Sequence, residues 1–227
     1  MKMELQPDRK EIIRYLGYRG VTPDEEVLRE IEACVLELNR EVTPRFVYER
    51  FALSLEKEDN GEESLCFAGL RVHSRDLAVN LQGCREVCLM AVTLGPGPDL
   101  LVRRASVGRM SRAVILQATA AAMTETWCDR INERIRLEAE QEGLYTRPRF
   151  SPGYGDLPLD LQREISAILN MPKESGVSLT DTMLMTPSKS VTALIGISDT
   201  PGKCAPAGCA GCAASANCAY ARTETES

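Results

Sequence analysis

At 227 residues with 44% hydrophobic side chains, the chain can form one fair-sized domain with a core and a tail, or two small domains. Its formal net charge of -6 comes from interspersed acidic and basic residues, and the absence of a basic face or run excludes nucleic-acid binding. The N-terminus lacks the apolar stretch of a signal peptide, and no segment stays apolar long enough to cross a bilayer, which predicts a cytoplasmic protein without a membrane span.

The first third of the chain predicts two helices and then short strands. Apolar residues at helical spacing predict a helix over residues 8–16 that Gly17 ends as a C-cap glycine. The sequence Thr22-Pro23-Asp24-Glu25 has the form of a capping box, with Thr22 at the N-cap of a helix that runs to about residue 40. Beyond residue 42 the period changes toward two, and Asn60-Gly61 is a hairpin-type turn, so a small antiparallel element follows.

The middle of the chain predicts a buried strand between helices. Ser74 is placed to cap a short helix that Gly83 terminates, and residues 87–92 form an unbroken apolar run. Residues 98–142 are mostly helical in pattern, as a short helix followed by a long one that Gly143 closes. The small side chains of residues 118–122 allow close packing of the long helix against a neighbour.

The last part of the ordered pattern predicts a helix over about residues 161–169 and a hairpin over residues 176–198. The turn of this hairpin is Thr-Pro-Ser-Lys-Ser at residues 186–190. Its three hydroxyls and its lysine can meet an anion or the polar edge of a ligand, although an ordinary hairpin loop has the same composition.

Residues 147–158 concentrate two arginines, three prolines and two glycines between helical patterns. Proline restricts the backbone, whereas Gly153 and Gly155 allow dihedrals and close approaches that a side chain would forbid. Arg149 can bind a carboxylate or phosphate through its planar guanidinium, and Tyr154 offers a flat face to a heteroaromatic ring. The segment predicts a ligand-binding loop, with a rigid connector as the alternative.

Three carboxylates recur on one face of the long predicted helix, at Glu125, Asp129 and Glu133. The ordinary interpretation is a solvated stripe that pairs with neighbouring arginines of the same helix, Arg130, Arg134 and Arg136. The functional interpretation needs one carboxylate that accepts from a ligand ammonium, and Glu125 fits best because its neighbours are apolar or small.

From residue 199 the apolar periodicity stops and a cysteine-rich tail begins. Four of the nine cysteines lie there, as Cys204-x4-Cys209-x2-Cys212-x5-Cys218. Four thiolates suit tetrahedral zinc or an iron-sulfur cluster, which would supply the ordering energy that this composition lacks. A redox-active thiol tail without metal is the alternative. The other five cysteines mostly sit in apolar patterns and are expected in or near the core.

Together these stretches resemble the reactivation domain of cobalamin-dependent methionine synthase, a family that binds S-adenosylmethionine. Residues 149–158, Arg-Phe-Ser-Pro-Gly-Tyr-Gly-Asp-Leu-Pro, match the family pattern R-x-x-x-G-Y-x-x-x-P. Residues 124–136 resemble the helix that leads into this loop, and residues 185–191 resemble the family's proline-and-serine turn. The likeness covers about residues 5–198 and is closest to short, stand-alone versions from anaerobic bacteria.

The resemblance implies an α+β fold, a twisted antiparallel sheet with flanking helices, over residues 1–198, followed by the tail at 199–227. It also implies that Arg149 holds the carboxylate of S-adenosylmethionine and that Glu125 accepts from its ammonium. The full set implied for the methyl donor is Glu125, Arg149, Pro152, Gly153, Tyr154, Pro187, Ser188 and Ser190. In the family, methyl transfer from this donor to cobalamin, coupled to one-electron reduction, rescues a cofactor that has been oxidised.

Two departures from the family pattern concern the pocket rim and the cobalamin. Leu159 and Asp160 stand where the long synthases carry an acidic residue and a histidine. The histidine of this chain, His73, lacks the D-x-H-x-x-G context that provides the lower ligand of cobalamin. The expectation is therefore reactivation in trans, on a separate methionine synthase or corrinoid protein, with a tail cluster as the source of the electron.

Two other classes of function stay open at this point. One is a non-catalytic assembly or electron-transfer module for a corrinoid protein, which keeps the fold without using the methyl donor. The other is a structural domain stapled by zinc.

Overall fold

The fold is centred on an antiparallel sheet, and the computed structural model describes residues 4–18, 20–57 and 63–202. The strands are β1 (Arg45–Ala52), β2 (Ser54–Lys57), β3 (Glu63–Phe67), β4 (Leu70–Val72), β5 (Glu86–Thr93), β6 (Tyr145–Thr146), β7 (Ser178–Leu179), β8 (Met185–Thr186) and β9 (Ser190–Ser198). The helices are α1 (Arg9–Tyr15), α2 (Glu25–Glu41), α3 (Arg75–Asn80), α4 (Gly97–Gly108), α5 (Met110–Gln141), α6 (Leu161–Ile168) and α7 (Met171–Glu174). Strands β1, β5, β9 and β6 lie in that order, each antiparallel to its neighbour. This arrangement confirms the predicted α+β class.

Strand β5 lies inside the central sheet and is buried on both faces. Its even-numbered side chains, such as Met90, pack into a core shared with α5, whereas Leu89 and its odd-numbered neighbours face a second core with α3 and α6. Burial of one such side chain contributes about 1.5–3 kcal/mol, so both faces of the sheet stabilise the fold. The unbroken apolar run at residues 87–92 is explained by this double coverage.

Helices α4 and α5 form an antiparallel helical hairpin over one face of the sheet, as the pattern of residues 98–142 predicts. The two helices are separated at Arg109, whose backbone (φ -143°, ψ 77°) is not helical. Ala118, Ala120 and Ala122 are buried, which allows the close approach expected of a run of small side chains. Helix α5 is followed by Gly143 at φ 73°, the left-handed conformation of a C-cap glycine.

The N-terminal cap of α2 differs from the prediction. Asp24, not Thr22, is the N-cap, because its Oδ1 accepts a hydrogen bond of 2.8 Å from the amide of Val27. Aspartate caps a helix as well as threonine does, and the helix therefore begins two residues later than the capping-box pattern suggests. Two other predicted caps are confirmed. Gly17 follows α1 at φ 85°, and the side chain of Ser74 accepts from the amide of Leu77 at the start of α3.

The predicted hairpin over residues 176–198 is wrong. Strand β8 pairs with β7, whereas β9 pairs with β5 on one side and with β6 on the other. The alternating pattern of the two arms predicts that each is a strand, but it does not predict which strands they pair with. Each edge of β9 pairs with a strand that is more distant in the sequence. The turn at residues 186–190, with a cis bond between Thr186 and Pro187, instead connects β8 to the central sheet.

The small antiparallel element predicted beyond residue 42 is confirmed as the sheet of β2, β3 and β4, whereas β1, the first strand of that segment, pairs with β5 in the central sheet. Its predicted turn at Asn60-Gly61 lies outside the described residues.

Among the residues that are described, none of the helices has both the length and the hydrophobicity that a membrane span requires.

Candidate functional site

The segment after β6 continues along β9 and contains a bulge at Arg149. The amide of Arg147 donates to Gly196 at 2.8 Å, and Phe150 exchanges two backbone hydrogen bonds with Leu194. Two residues, Pro148 and Arg149, thus lie opposite Ile195 alone, which is the count of a β-bulge. Phe150 packs against the core on the α6 side of the sheet. The bulge aims Arg149 at the other face, toward α5.

Arg149 meets two carboxylates of α5. Its Nη1 donates to Oδ1 of Asp129 at 2.8 Å, and its Nη2 lies 3.3 Å from Oε2 of Glu125. The Arg149 side chain is 24% exposed and that of Glu125 is 48% exposed, so an incoming ligand can reach both groups. The predicted carboxylate-binding and ammonium-binding groups are therefore neighbours.

The three-carboxylate stripe of α5 divides into two parts. Glu133 pairs with Arg136 and Arg134 pairs with Glu138, as expected for a solvated helix face. Glu125 and Asp129 pair instead with Arg149, which is far along the chain. Asp129 is a site residue that sequence reasoning missed, since its i+4 spacing fits an ordinary surface stripe just as well.

The Gly153-Tyr154-Gly155 turn is held in a shape that glycine allows. Gly153 has φ 89° and Gly155 has φ 54°. A Cβ on Gly155 would overlap the carboxylate of Asp76. Pro152 is buried and anchors the turn, while Tyr154 is 66% exposed and offers its ring to solvent. The turn thus combines a fixed backbone with an accessible aromatic face.

Asp156 fixes this loop to the N-terminus of α3. Its carboxylate accepts from the hydroxyl of Ser74 and from the amides of Arg75 at 2.8 Å and Asp76 at 3.2 Å. The amide of Asp156 donates in turn to the carboxylate of Asp76 at 3.2 Å. The hydrogen bond from Ser74, followed by those from the backbone, lowers the pKa of Asp156.

Replacement of Asp156 by alanine is expected to lower the free energy of unfolding by about 1 kcal/mol at pH 7, the usual cost of losing an acceptor at a helix N-terminus. Because the folded-state pKa is lowered, the stabilisation is present above the unfolded pKa of about 3.9 and is lost as the pH falls through the folded value. Urea unfolding, followed by fluorescence of the single tryptophan Trp127, measures this difference against pH.

The matched control is Asp160→Ala, because Asp160 lies on the same segment and its side chain does not cap α6. We expect little change in the control at either pH. A difference between wild type and Asp156→Ala that stays constant from pH 7 to pH 3 would contradict the assignment.

The two serines of the turn at residues 186–190 have their hydroxyls in hydrogen bonds within the protein. The amide of Ser188 donates to Asp99 at 2.7 Å, and its hydroxyl donates to the same carboxylate. The hydroxyl of Ser190 donates to the carbonyl of Pro187 at 2.7 Å and meets Thr93 Oγ1 at 2.8 Å. The turn is therefore a rigid wall beside the start of α4.

Pro187, Ser188 and Ser190 lie at or just before the start of β9, and Arg149 lies on the neighbouring segment, beside a more distant part of β9. Ile195, opposite Arg149, is five residues from Ser190, which is about 16 Å along a strand. The predicted site residues thus fall into two groups, the arginine loop with Glu125 and the 186–190 turn. A ligand that touches both must be long.

An open cavity of about 520 Å³ lies along α5. Its lining comes from α1, α4 and α5: Tyr15, Val102, Ser106, Met110, Ala113, Val114, Gln117, Ala118 and Ala121. Glu125 continues the same helix face one turn beyond Ala121. Burial, and then the negative charge of Glu125, raises the pKa of Tyr15. Along α5 the lining runs from Met110 to Ala121, and Glu125 lies about 6 Å beyond Ala121 along the helix axis.

Arg147, the other arginine of the loop, has a structural position. It is 6% exposed and donates to the backbone carbonyls of Thr200 at 3.3 Å and Gln82 at 3.4 Å. A Cβ at Gly196 would lie 3.0 Å from its Cγ, so the side chain fills space on the face opposite Arg149. Two arginines only two positions apart are thus separated by the sheet.

The proposed metal ligands Cys204, Cys209, Cys212 and Cys218 lie outside the described residues. Within the described ranges, no group of three or more His, Cys, Asp or Glu side chains could hold a metal ion. Burial raises the pKa of Cys34 to about 11 and those of Cys88 and Cys128 to about 12, so these thiols stay protonated in the core. Their core position agrees with the expectation from sequence.

The layout of helices and antiparallel sheet defines a known class of domain. The chain is similar to the crystal structure of the MetH reactivation domain bound to AdoHcy, with a TM-score of 0.65 and 18% sequence identity over 88% of this chain and 76% of that one. At this identity the likeness establishes the fold. No match was found among curated proteins.

A family model places the chain more narrowly. Residues 81–201, just over half of the chain, match the model of the vitamin B12 dependent methionine synthase activation domain. The chain belongs to this family, which confirms the resemblance stated from its motifs. The matched region contains both the arginine loop and the 186–190 turn.

Proposed function

We propose that this chain binds S-adenosylmethionine with its amino-acid end at Arg149 and Glu125. The observation that carries the proposal is the contact between these two side chains, one from the bulged loop and one from α5. An α-amino acid presents a carboxylate and an ammonium side by side. A guanidinium next to a carboxylate is the complementary pair, because a fork of N–H donors fits the ligand carboxylate and Glu125 accepts from the ammonium.

The rest of the molecule would lie along the cavity beside α5. Pro152, Gly153 and Tyr154 would contact the amino-acid end of the ligand, and Pro187, Ser188 and Ser190 would contact its other end. Methionine, ribose and adenine joined in line make an elongated ligand. The spacing of about 16 Å along β9 between Ser190 and Ile195, the residue opposite Arg149, suits a ligand of that shape.

The reaction that this binding serves is reductive methylation of a cobalamin held by a separate chain, a methionine synthase or another corrinoid protein in the cytoplasm. When bound on that partner, cobalamin supplies the metal that is reduced and methylated. The residues of this chain bind the methyl donor and orient its sulfonium. A methyl transfer from a sulfonium needs no protein nucleophile or general base, and the site accordingly offers binding groups only.

The experiment is a calorimetric titration of S-adenosylmethionine into protein purified without air. It is followed by an assay in which the chain is added to an inactivated corrinoid methionine synthase with a reductant. Saturable binding and restored methionine formation support the proposal. Absence of binding, with and without the corrinoid protein, would overturn it.

A second candidate is an assembly or electron-transfer module that keeps the fold without using the methyl donor. The observation that favours it is the rim of the loop, where Leu159 and Asp160 replace the acidic residue and histidine of the long synthases. Leu159 lies beside Gly153 and is 43% exposed, so an apolar side chain stands at the rim here beside Asp160. Reactivation that persists in an Arg149→Ala protein would support this candidate.

The cysteine-rich tail carries a further part of the proposal. Cys204, Cys209, Cys212 and Cys218 would hold an iron-sulfur cluster, which would deliver the reducing electron, or a zinc ion with a structural role. Metal analysis and a visible spectrum of protein purified without air separate these two outcomes. Protein that contains neither iron nor zinc would leave the redox-active thiol tail as the interpretation.

A further inference from the structure

The first residues of the cysteine-rich tail run beside the loop at residues 81–85, which precedes β5. The hydroxyl of Ser198, the last residue of β9, donates to the carbonyl of Gly83 at 2.8 Å. The carboxylate of Asp199 then pairs with Arg85 at 2.7 Å. The point at which the tail leaves the central sheet is therefore attached to this loop.

Arg147 reinforces the attachment. Its guanidinium donates to the carbonyl of Thr200 at 3.3 Å and to that of Gln82 at 3.4 Å, so it bridges the tail and the loop. A Cβ at Gly202 would overlap the same guanidinium, which places Gly202 directly against it. Within the described part of the chain, no carboxylate pairs with this buried cation. A guanidinium without a carboxylate partner favours the thiolate form of neighbouring cysteines, and the thiolate is the form that attacks a disulfide.

Cys84 lies on this loop and next to this arginine. A Cβ at Gly196 would lie 2.6 Å from Sγ of Cys84 and 3.0 Å from Cγ of Arg147, so both side chains pack over the same glycine of β9. Cys84 is only partly buried. The other described cysteines lie in the core shared with α5 or in the small sheet: Cys34, Cys88, Cys128 and Cys66. Among the described cysteines, Cys84 is therefore the one beside the start of the tail.

The next cysteine of the chain, Cys204, comes two residues after Gly202. Its Cα therefore lies within about 7 Å of the Cα of Gly202, the span of two extended residues. A disulfide joins Cα atoms that are about 4.4–6.8 Å apart. Because Gly202 and the loop are separated only by the head group of Arg147, a disulfide from Cys204 can reach the loop. The short tether gives Cys204 a high effective concentration, which falls as the tether lengthens toward Cys218.

We propose that Cys84 and Cys204 form a redox-sensitive disulfide that links the tail to the loop before β5. The reaction consists of two exchanges with a small disulfide, oxidised glutathione. In the first, the thiolate of one cysteine attacks the small disulfide and releases one glutathione thiolate. In the second, the thiolate of the other cysteine attacks the mixed disulfide and releases the second. The protein loses two electrons and two protons, and the small disulfide is reduced to two thiols.

The disulfide would control the cysteine site of the tail, and to this extent the inference rests on the proposed function. Cys204 cannot bind a metal ion while its sulfur is bonded to Cys84, so oxidation leaves three of the four proposed ligands. A metal bound by all four thiolates would in turn protect Cys204 from oxidation. The tail would therefore hold metal under reducing conditions and release it under oxidising ones.

The test uses the full chain after treatment with a chelator and a reductant. The protein is incubated with oxidised glutathione, its remaining thiols are alkylated, and it is digested with trypsin. The peptide of residues 76–85 should be recovered joined to the peptide of residues 204–222. Recovery of Cys84 only as the alkylated thiol or as a glutathione adduct would overturn the proposal.

The tail cysteine is identified with variants that keep one of the four and carry serine at the other three. The variant that keeps Cys204 should cross-link to Cys84 at least about tenfold faster than the variant that keeps Cys218, because its tether is shorter. Equal rates would overturn the assignment of Cys204.

The matched control for the loop cysteine is Cys66→Ser, since Cys66 is also partly buried but lies in the small sheet. The cross-link should be unchanged in Cys66→Ser and absent in Cys84→Ser. A cross-link of Cys204 that persists in Cys84→Ser and is lost in Cys66→Ser would overturn the role of Cys84.

Failure of this inference is distinguishable from failure of the proposed function. Reduced protein that binds iron or zinc, but shows no link between Cys84 and Cys204 after oxidation, overturns only the disulfide. A link in protein that binds neither metal supports the disulfide and overturns the metal site that it would control.

Discussion

Replacement of Arg149 by alanine should weaken S-adenosylmethionine binding by at least about a hundredfold, or roughly 2.7 kcal/mol, as expected when two charge-assisted hydrogen bonds to a carboxylate are lost. Calorimetric titration of wild type and variant measures this change. The reason lies in the geometry of the guanidinium, whose two terminal nitrogens already reach different carboxylates, Glu125 and Asp129. The same pair of donors can bind both oxygens of a ligand carboxylate.

Lysine at this position should recover only part of the loss. Arg149→Lys retains the charge but not the planar fork, so its affinity is expected to lie between those of wild type and Arg149→Ala. Arg130→Ala is the matched control, since Arg130 is an exposed arginine of α5, the helix that carries Glu125 and Asp129, and it donates to the carbonyl of Glu4. A Kd for Arg149→Ala within a factor of three of wild type would exclude Arg149 from the carboxylate site.

Replacement of Gly97 by alanine should lower the free energy of unfolding by about 3 kcal/mol, at the upper end of the usual cost of overpacking. A Cβ at this position would overlap the carbonyl oxygen of Glu41 and lie 2.8 Å from its carbonyl carbon. Because the obstacle is backbone at the end of α2, it cannot move aside as a flexible side chain would. Thermal unfolding, followed by the fluorescence of buried Trp127, should show a Tm lower by about 10 °C.

Gly108→Ala provides the control at the opposite end of the same helix. A Cβ at Gly108 meets no atom within 4 Å, and the residue does not need a positive φ. Alanine restricts the unfolded chain more than glycine does, so this variant should be neutral or slightly more stable. Equal stability of the two variants would show that the contact of α4 with the end of α2 is looser than described.

The elements that repeat a local pattern were predictable from sequence, and those that depend on a distant partner were not. Helix α2 and strand β5 follow directly from their periodicity, since one face or both faces must be covered by core. The pairing of β9 with β5 and β6 is set by chain segments far away, and the local alternation of residues 176–198 therefore gave a hairpin that does not exist.

The candidate site shows the same division. Arg149 was separable from Arg147 only through the family pattern, because the bulge that sends the two side chains to opposite faces depends on register with β9. Asp129 was not distinguishable from a solvated stripe for a similar reason, since its partner is twenty residues farther along the chain. Position along a helix gives the face of a residue, but the tertiary contact decides what that face meets.

The contact of Arg149 with both Glu125 and Asp129 also sets the electrostatic character of the unliganded pocket. One cation and two anions leave a single excess negative charge, so a free phosphate or a simple carboxylate gains little by entering. A zwitterion has no net charge, so it leaves the local charge unchanged when its carboxylate binds the arginine and its ammonium binds one of the acids. In the proposed placement, the sulfonium of the methyl donor would add the one positive charge that balances the remainder, which would favour the methylated compound over its demethylated product. Loss of that charge on methyl transfer would then weaken the binding of the product and promote its release.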